Sequence, residues 1–166
     1  MILTISSLDA LQELAGGPVA ATSPWFPVTQ EMIDSFAGVT GDRQWIHVDA
    51  DRARRESPWG TSIAHGFLTL SLISQMAEQS YCLQLDQAAT INYGLNRVRF
   101  PSPVRAESRV RGHFALLGCG ARPGGVEVVW QVTVEAEGQE KPVCVAEWVL
   151  RLVAGGQGEA TSPAIV

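Results

Sequence analysis

A chain of 166 residues, 46% of them hydrophobic, suffices for one domain whose core needs no disulfide or metal staple. Its 17 acidic residues outnumber its 12 Lys and Arg, and a formal charge of −5 argues against a surface that binds a phosphate backbone. No nucleic-acid partner is expected, and an anionic small molecule must be held by local cations or backbone N–H groups.

The first fourteen residues carry Asp9 and Glu13 but no Lys or Arg, which is unlike a secretory signal. The most apolar stretch, 62–77, is short and contains Ser, Thr and His, so no membrane span is expected and the protein reads as cytoplasmic. Cys82, Cys119 and Cys144 are odd in number and widely spaced, as core thiols in a reducing compartment would be.

Ser7 ahead of Leu8, Leu11 and Leu14 predicts a short amphipathic helix, closed by Gly16-Gly17-Pro18 and serving as a lid or a cap. After the turn-like Thr22-Ser23-Pro24, an extended piece reaches Thr29, whose hydroxyl caps a helix with Glu31 in its first turn. Met32, Ile33, Phe36 and Ala37 give that helix its buried stripe, and Gly38 fits its end. Residues 39–61 read as a loop, interrupted by a helical turn at 49–55. Residues 62–81 read as one long helix, apolar around most of its circumference in the first half and therefore wrapped by the rest of the chain.

The period then changes from 3.6 to 2. Val126, Val128, Trp130, Val132 and Val134 alternate with polar residues, as do Cys144, Ala146, Trp148, Leu150 and Leu152. Two further strands are expected at 90–100 and 107–117, separated by Pro101-Ser102-Pro103. Gly118, Gly120, Gly124 and Gly125 lie between strands, which suits a hairpin better than a dinucleotide loop. His113 alternates with Arg109 and Arg111 on a solvent face. The pattern predicts an α+β fold, an antiparallel sheet around a helix. A single domain is expected over 1–154, with 1–22 as N-terminal helix and linker and 155–166 as a flexible tail.

Two constellations can carry chemistry. In Asp42-Arg43-Gln44-Trp45-Ile46-His47, a loop can bring the carboxylate and the imidazole to one water as an acid/base pair. The same spacing suits a structural cap, or a metal site completed by Asp49 and Asp51, although the run matches neither an EF-hand nor a zinc motif. In Ser62-Ile63-Ala64-His65-Gly66-Phe67, the free N–H groups at a helix start favour an oxyanion, and Gly66 without a Cβ lets a carbonyl approach. The plain alternative is that Gly66 serves helix packing and His65 is a core residue. Trp45 and Trp59 either wall an acyl tunnel or anchor their loops.

Gly41-Asp42 and His47, followed by Ile63-Ala64-His65-Gly66 and an apolar helix, together resemble the signature of the MaoC-like (R)-specific enoyl-CoA hydratases. The run Tyr93-Gly94-Leu95-Asn96-Arg97-Val98-Arg99-Phe100-Pro101 extends the likeness, which spans about residues 23–153. The resemblance implies a hot-dog fold, a sheet wrapped around a long central helix, usually paired as a homodimer. It implies that Asp42 and His47 activate the water added to a trans-2-enoyl thioester, and that the Gly66 N–H polarises the carbonyl. Ser74 holds the place of a supporting serine, and His65 falls on the substrate side. Arg97 and Arg99 are candidates for the phosphates of coenzyme A. Coenzyme A or an acyl carrier protein enters only as part of the substrate, with no further cofactor and no metal. One departure is Gln44-Trp45, where many members have Asn-Pro. The alternatives are a hot-dog thioesterase and a non-catalytic acyl-thioester-binding protein.

Overall fold

A computed structural model of the chain describes residues 2–155. The expected tail lies, apart from Gly155, outside the described residues. Four long strands form the body: β5 (Gln87–Arg99), β6 (Ser108–Arg122), β7 (Gly125–Ala136) and β8 (Cys144–Ala154). With the short strands β2 (Ala21–Thr22) and β3 (Phe26–Val28) they make one antiparallel sheet in the order β2-β6-β7-β8-β5, with β3 also on β6. β7 and β8 follow the two-residue period: Val128, Trp130, Val132 and Val134 are buried on one face, against Cys144, Ala146, Leu150 and Leu152 of the neighbouring strand. The glycine cluster belongs mostly to the ends of β6 and β7 and leaves only Pro123-Gly124 as the connecting turn.

The sheet curls over two consecutive helices, α5 (Gly66–Ser71) and α6 (Ile73–Glu78). The single long helix expected over 62–81 is thus shorter and divided. Residues 62–65 are extended, and Leu72 keeps right-handed torsions (φ −69°, ψ −14°) but parts the two segments. Nor is the first half wholly wrapped: Phe67 is 68% exposed. α6 delivers Ile73, Met76 and Ala77 to the core. There Tyr81 stacks on Trp130 (centroids 4.6 Å apart) and meets Phe114 edge-on.

At the N-terminus, Ser7 accepts from the Ala10 N–H and caps α1 (Leu8–Glu13), as its sequence suggests. A strand that periodicity does not foretell, β1 (Leu3–Ile5), pairs in parallel with β4 (Tyr81–Leu83). Of the three thiols, Cys144 is buried and raised to about pKa 11 by burial, while Cys82 is exposed, contrary to its expected place in the core. On the outer face of β6, Arg109 and Arg111 pair with Glu137 and Glu135, and His113 lies 3.3 Å from Glu135. Among the described residues no helix is long and apolar enough to cross a membrane.

The β6–β7 turn depends on one missing side chain. A Cβ on Gly125 would lie 1.9 Å from the Leu152 carbonyl oxygen, a backbone atom that cannot rotate away. Gly125→Ala is expected to destabilise the fold by more than about 2 kcal/mol, read as a lower midpoint in urea denaturation.

Candidate active site

The helix α2 (Gln30–Thr40) starts as expected, with the Thr29 hydroxyl accepting from the Met32 N–H. It runs past Gly38 and ends where Gly41 takes a left-handed conformation (φ 79°) that glycine adopts without strain. The chain therefore turns sharply just before Asp42. Three residues later α3 (Trp45–Val48) begins, a single turn that carries His47 inward. Its end caps α4 (Ala50–Glu56), since the Asp49 carboxylate accepts from the Arg52 N–H at 2.9 Å. Asp51 pairs with Arg54. Both carboxylates of the metal alternative are thereby engaged in helix structure.

His47 is held from two sides. One ring nitrogen, Nδ1, lies 2.7 Å from the Ile63 carbonyl, and because a carbonyl only accepts, that nitrogen carries the proton. Nε2 is left as the basic lone pair. The amide of Gln30 donates to the His47 carbonyl (2.7 Å) and to Asp34 (2.8 Å), and its oxygen accepts from the Ser62 hydroxyl. Gln30 is a positioning residue that no sequence pattern reveals, being one polar side chain in the first turn of a helix. Burial holds the His47 imidazole below its ordinary value. The Ile63 bond opposes this, the nearby His65 adds to it, and Asp42 opposes it more weakly.

His65 is 3% exposed and does not line the substrate-sized space beside it. Its Nε2 lies 2.9 Å from the Asp42 carbonyl and its ring stacks on His47, with centroids 3.8 Å apart. Asp42, His47 and His65 each bring one potential ligand atom within 4.8 Å of the other two. As a metal set the group is poor: the His65 Nε2–H is committed to a carbonyl, which leaves too few free donors for a zinc-like site. As a proton-transfer set it is well formed, with a buried neutral imidazole beside a carboxylate that is 57% exposed.

A cavity of about 320 Å³ opens next to His47, lined by Trp59, Ala64, Gly66, Thr69, Val104 and Val143, with Phe100 among its other walls. Thr69 is buried, and sequence reasoning missed it because an apolar helix reads as core. Phe100 covers Gly66. A Cβ at that glycine would meet the Phe100 ring at 3.0 Å, so the ring would have to give by a few tenths of an ångström to admit one. Trp59 walls the cavity, whereas Trp45 lies under the Arg52 guanidinium at 4.3 Å. Ser74 sits in a separate groove between α6 and β5, where the Asn92 amide donates to its hydroxyl (3.4 Å) and Asn92 accepts from Trp148 Nε1 (2.9 Å). Arg97 lies 3.8 Å from Glu147. Arg99 is exposed and precedes Phe100, which walls the cavity.

The sheet curls over a divided central helix in the hot-dog manner, and Asp42 and His47 meet at the entry of that helix. The chain belongs to the MaoC-like domain family, whose model matches residues 12–138. Among its relatives is the 3-hydroxyacyl-thioester dehydratase Z of Mycobacterium tuberculosis, 48% identical over 152 residues that cover 91% of this chain and 99% of that protein. Nodulation protein N of Rhizobium meliloti is 46% identical over 86% of this chain and 89% of its own length. The fold is also that of the R-hydratase PhaJ1 of Pseudomonas aeruginosa (TM-score 0.66, 23% identity, 89% of this chain and 92% of that one).

The Gly66–Phe100 contact is separable from chemistry. Gly66→Ala is expected to cost about 1–3 kcal/mol by overpacking, and Phe100→Ala in the same chain should recover part of that loss. Urea denaturation of the four-member cycle gives the coupling.

Proposed function

We propose that this chain is an (R)-specific enoyl-CoA hydratase, a hydro-lyase that reversibly adds water to a trans-2-enoyl thioester and works in reverse as a 3-hydroxyacyl-thioester dehydratase. The observation that carries this reading is a buried His47, its Nδ1–H spent on a carbonyl and its Nε2 free, beside the Asp42 carboxylate at the mouth of α5. His47 Nε2 takes a proton from a water that Asp42 holds by its other O–H. The water oxygen bonds to C3, and the C2–C3 π electrons move toward the carbonyl as an enolate. The Gly66 N–H, at the positive end of α5, stabilises that oxyanion. His47 then returns its proton to C2, so the product has gained OH at C3 and H at C2.

In the same reading Thr69, Trp59 and Phe100 shape the space around the reacting carbons. Arg99 meets the phosphates of coenzyme A at the rim, and Ser74 belongs to the acyl side. Arg97, near Glu147, is the less suited of the two arginines.

The enzyme is also proposed to work as a homodimer. β5 is an edge strand of 13 residues, with Ile91, Tyr93 and Leu95 exposed by 48%, 63% and 42%. A long apolar edge of this kind is rarely left open.

Asp42→Asn and His47→Asn are each expected to lower kcat by about 10²–10⁴-fold, followed by loss of the conjugated thioester's ultraviolet absorbance. Full rate in Asp42→Asn, or release of free thiol in place of hydration, would refute the assignment. The rate, kcat/KM, should stay flat through neutral pH and fall only below about pH 6.5, because the lowered His47 must remain unprotonated to act as base. In sedimentation, Leu95→Lys should shift the protein from dimer to monomer mass, and an unchanged mass would contradict pairing through β5.

A further inference from the structure

His65 is a buried titratable group at the site that the proposed reaction leaves unused. It stands immediately before Gly66, 3% exposed, and forms no side-chain cap on α5. Its ring has two aromatic neighbours: it stacks on His47 at 3.8 Å with an interplanar angle of 26°, and it tilts against Phe36 at 5.1 Å. Its Nε2 reaches the Asp42 carbonyl at 2.9 Å and lies 4.0 Å from the Asp42 carboxylate. Its Nδ1 is buried with no partner among the described residues.

These contacts fix its chemical state. The Asp42 carbonyl only accepts, so it demands a proton on Nε2 and leaves Nδ1 as the nitrogen without a partner among the described residues. Among the described residues, the titratable groups that meet its ring are His47 on α3 and Asp42 on the loop after α2. One rigid ring therefore touches the side chain of one member of the reacting pair and the backbone of the other.

We propose that His65 is a positioning residue that sets the spacing of the catalytic pair, stacking on His47 while its Nε2–H holds the Asp42 peptide. The proposal rests on the reading of Asp42 and His47 as that pair. The ring donates no proton to the substrate and exchanges none in the cycle. It fixes where the carboxylate sits relative to the base, a placement for which about 1 Å of slack can cost about 10²-fold in rate.

Two variants divide its contacts. His65→Phe keeps a ring over His47 and loses the donor, whereas His65→Gln keeps an N–H that can reach the carbonyl and loses the ring. His65→Phe is expected to lower kcat by about 10–10²-fold with KM nearly unchanged. His65→Gln should retain more of kcat than His65→Phe, with KM nearly unchanged in both. If both fold and keep the wild-type kcat, the proposal is overturned. Should the variants fail to fold, nitrogen-15 shifts of the imidazoles in the wild-type protein decide: His65 must be the Nε2–H tautomer and His47 the Nδ1–H tautomer. A reversed tautomer at His65 overturns the proposal. Turnover of an enoyl-CoA by the wild-type protein is scored separately, so loss of the hydratase reading is distinguishable from loss of this one.

Discussion

Residues 62–64 are stitched to both of their neighbours by the backbone. The Ile63 N–H donates to the Ile46 carbonyl at 3.0 Å, the Ala64 N–H to Val104 at 2.8 Å, and the Ala106 N–H to Ser62 at 2.9 Å. The same short run offers its Ile63 carbonyl to the His47 ring. An extended segment that would otherwise expose its polar groups thus satisfies them against α3 on one side and the 104–106 segment on the other. It also delivers His65 and Gly66 at the start of α5. Shift this strut and the base, its proton-bearing nitrogen and the helix entry all move together.

The electrostatics of the site follow from unequal burial. His47 is buried and held neutral, while Asp42 stands largely in solvent. An imidazole in that setting stays unprotonated at neutral pH, as the proposed base must be, and the carboxylate proposed to orient the water need not be desolvated first. Gln30 completes the frame from outside by fastening the carbonyl of the residue that carries the base, with its own backbone N–H donating to Glu107 at 2.8 Å. Backbone groups anchor much of this site, the turn at Gln44-Trp45 included. Gln44 donates its N–H to Asp42 Oδ1 at 3.4 Å, its carbonyl accepts from the His47 N–H at 2.9 Å, and α3 forms.

β7 and β8 are legible in the sequence because each has one face in the core and one outside, the arrangement that alternation encodes. β5 is read only through its β-forming residues and the Pro101 that ends it, since the strand is exposed along most of its length. The limits of the central helix are misjudged because apolar character does not distinguish an extended buried strut at 62–65 from a helical turn. β1 escapes altogether: its partner lies nearly eighty residues away, and three residues show no period. At the site, the identities of Asp42, His47 and Gly66 are visible as motifs. The work of Gln30, Thr69 and Phe100 is not, because it depends on which segments the fold brings together. His65 is the mixed case, recognisable as a motif residue yet placed by the fold between the pair and away from the cavity wall.

The break at Leu72 separates two neighbourhoods along what would otherwise be one rod. The cavity at His47 takes wall residues from the first helical segment, while the groove at Ser74, of about 400 Å³, draws on the second segment together with β5 and β8. The two spaces share no lining residue. Variation at Leu83, Gln87 or Thr90 can therefore reshape the Ser74 groove while every group around His47 keeps its neighbours, so drift in one compartment need not be matched by drift in the other.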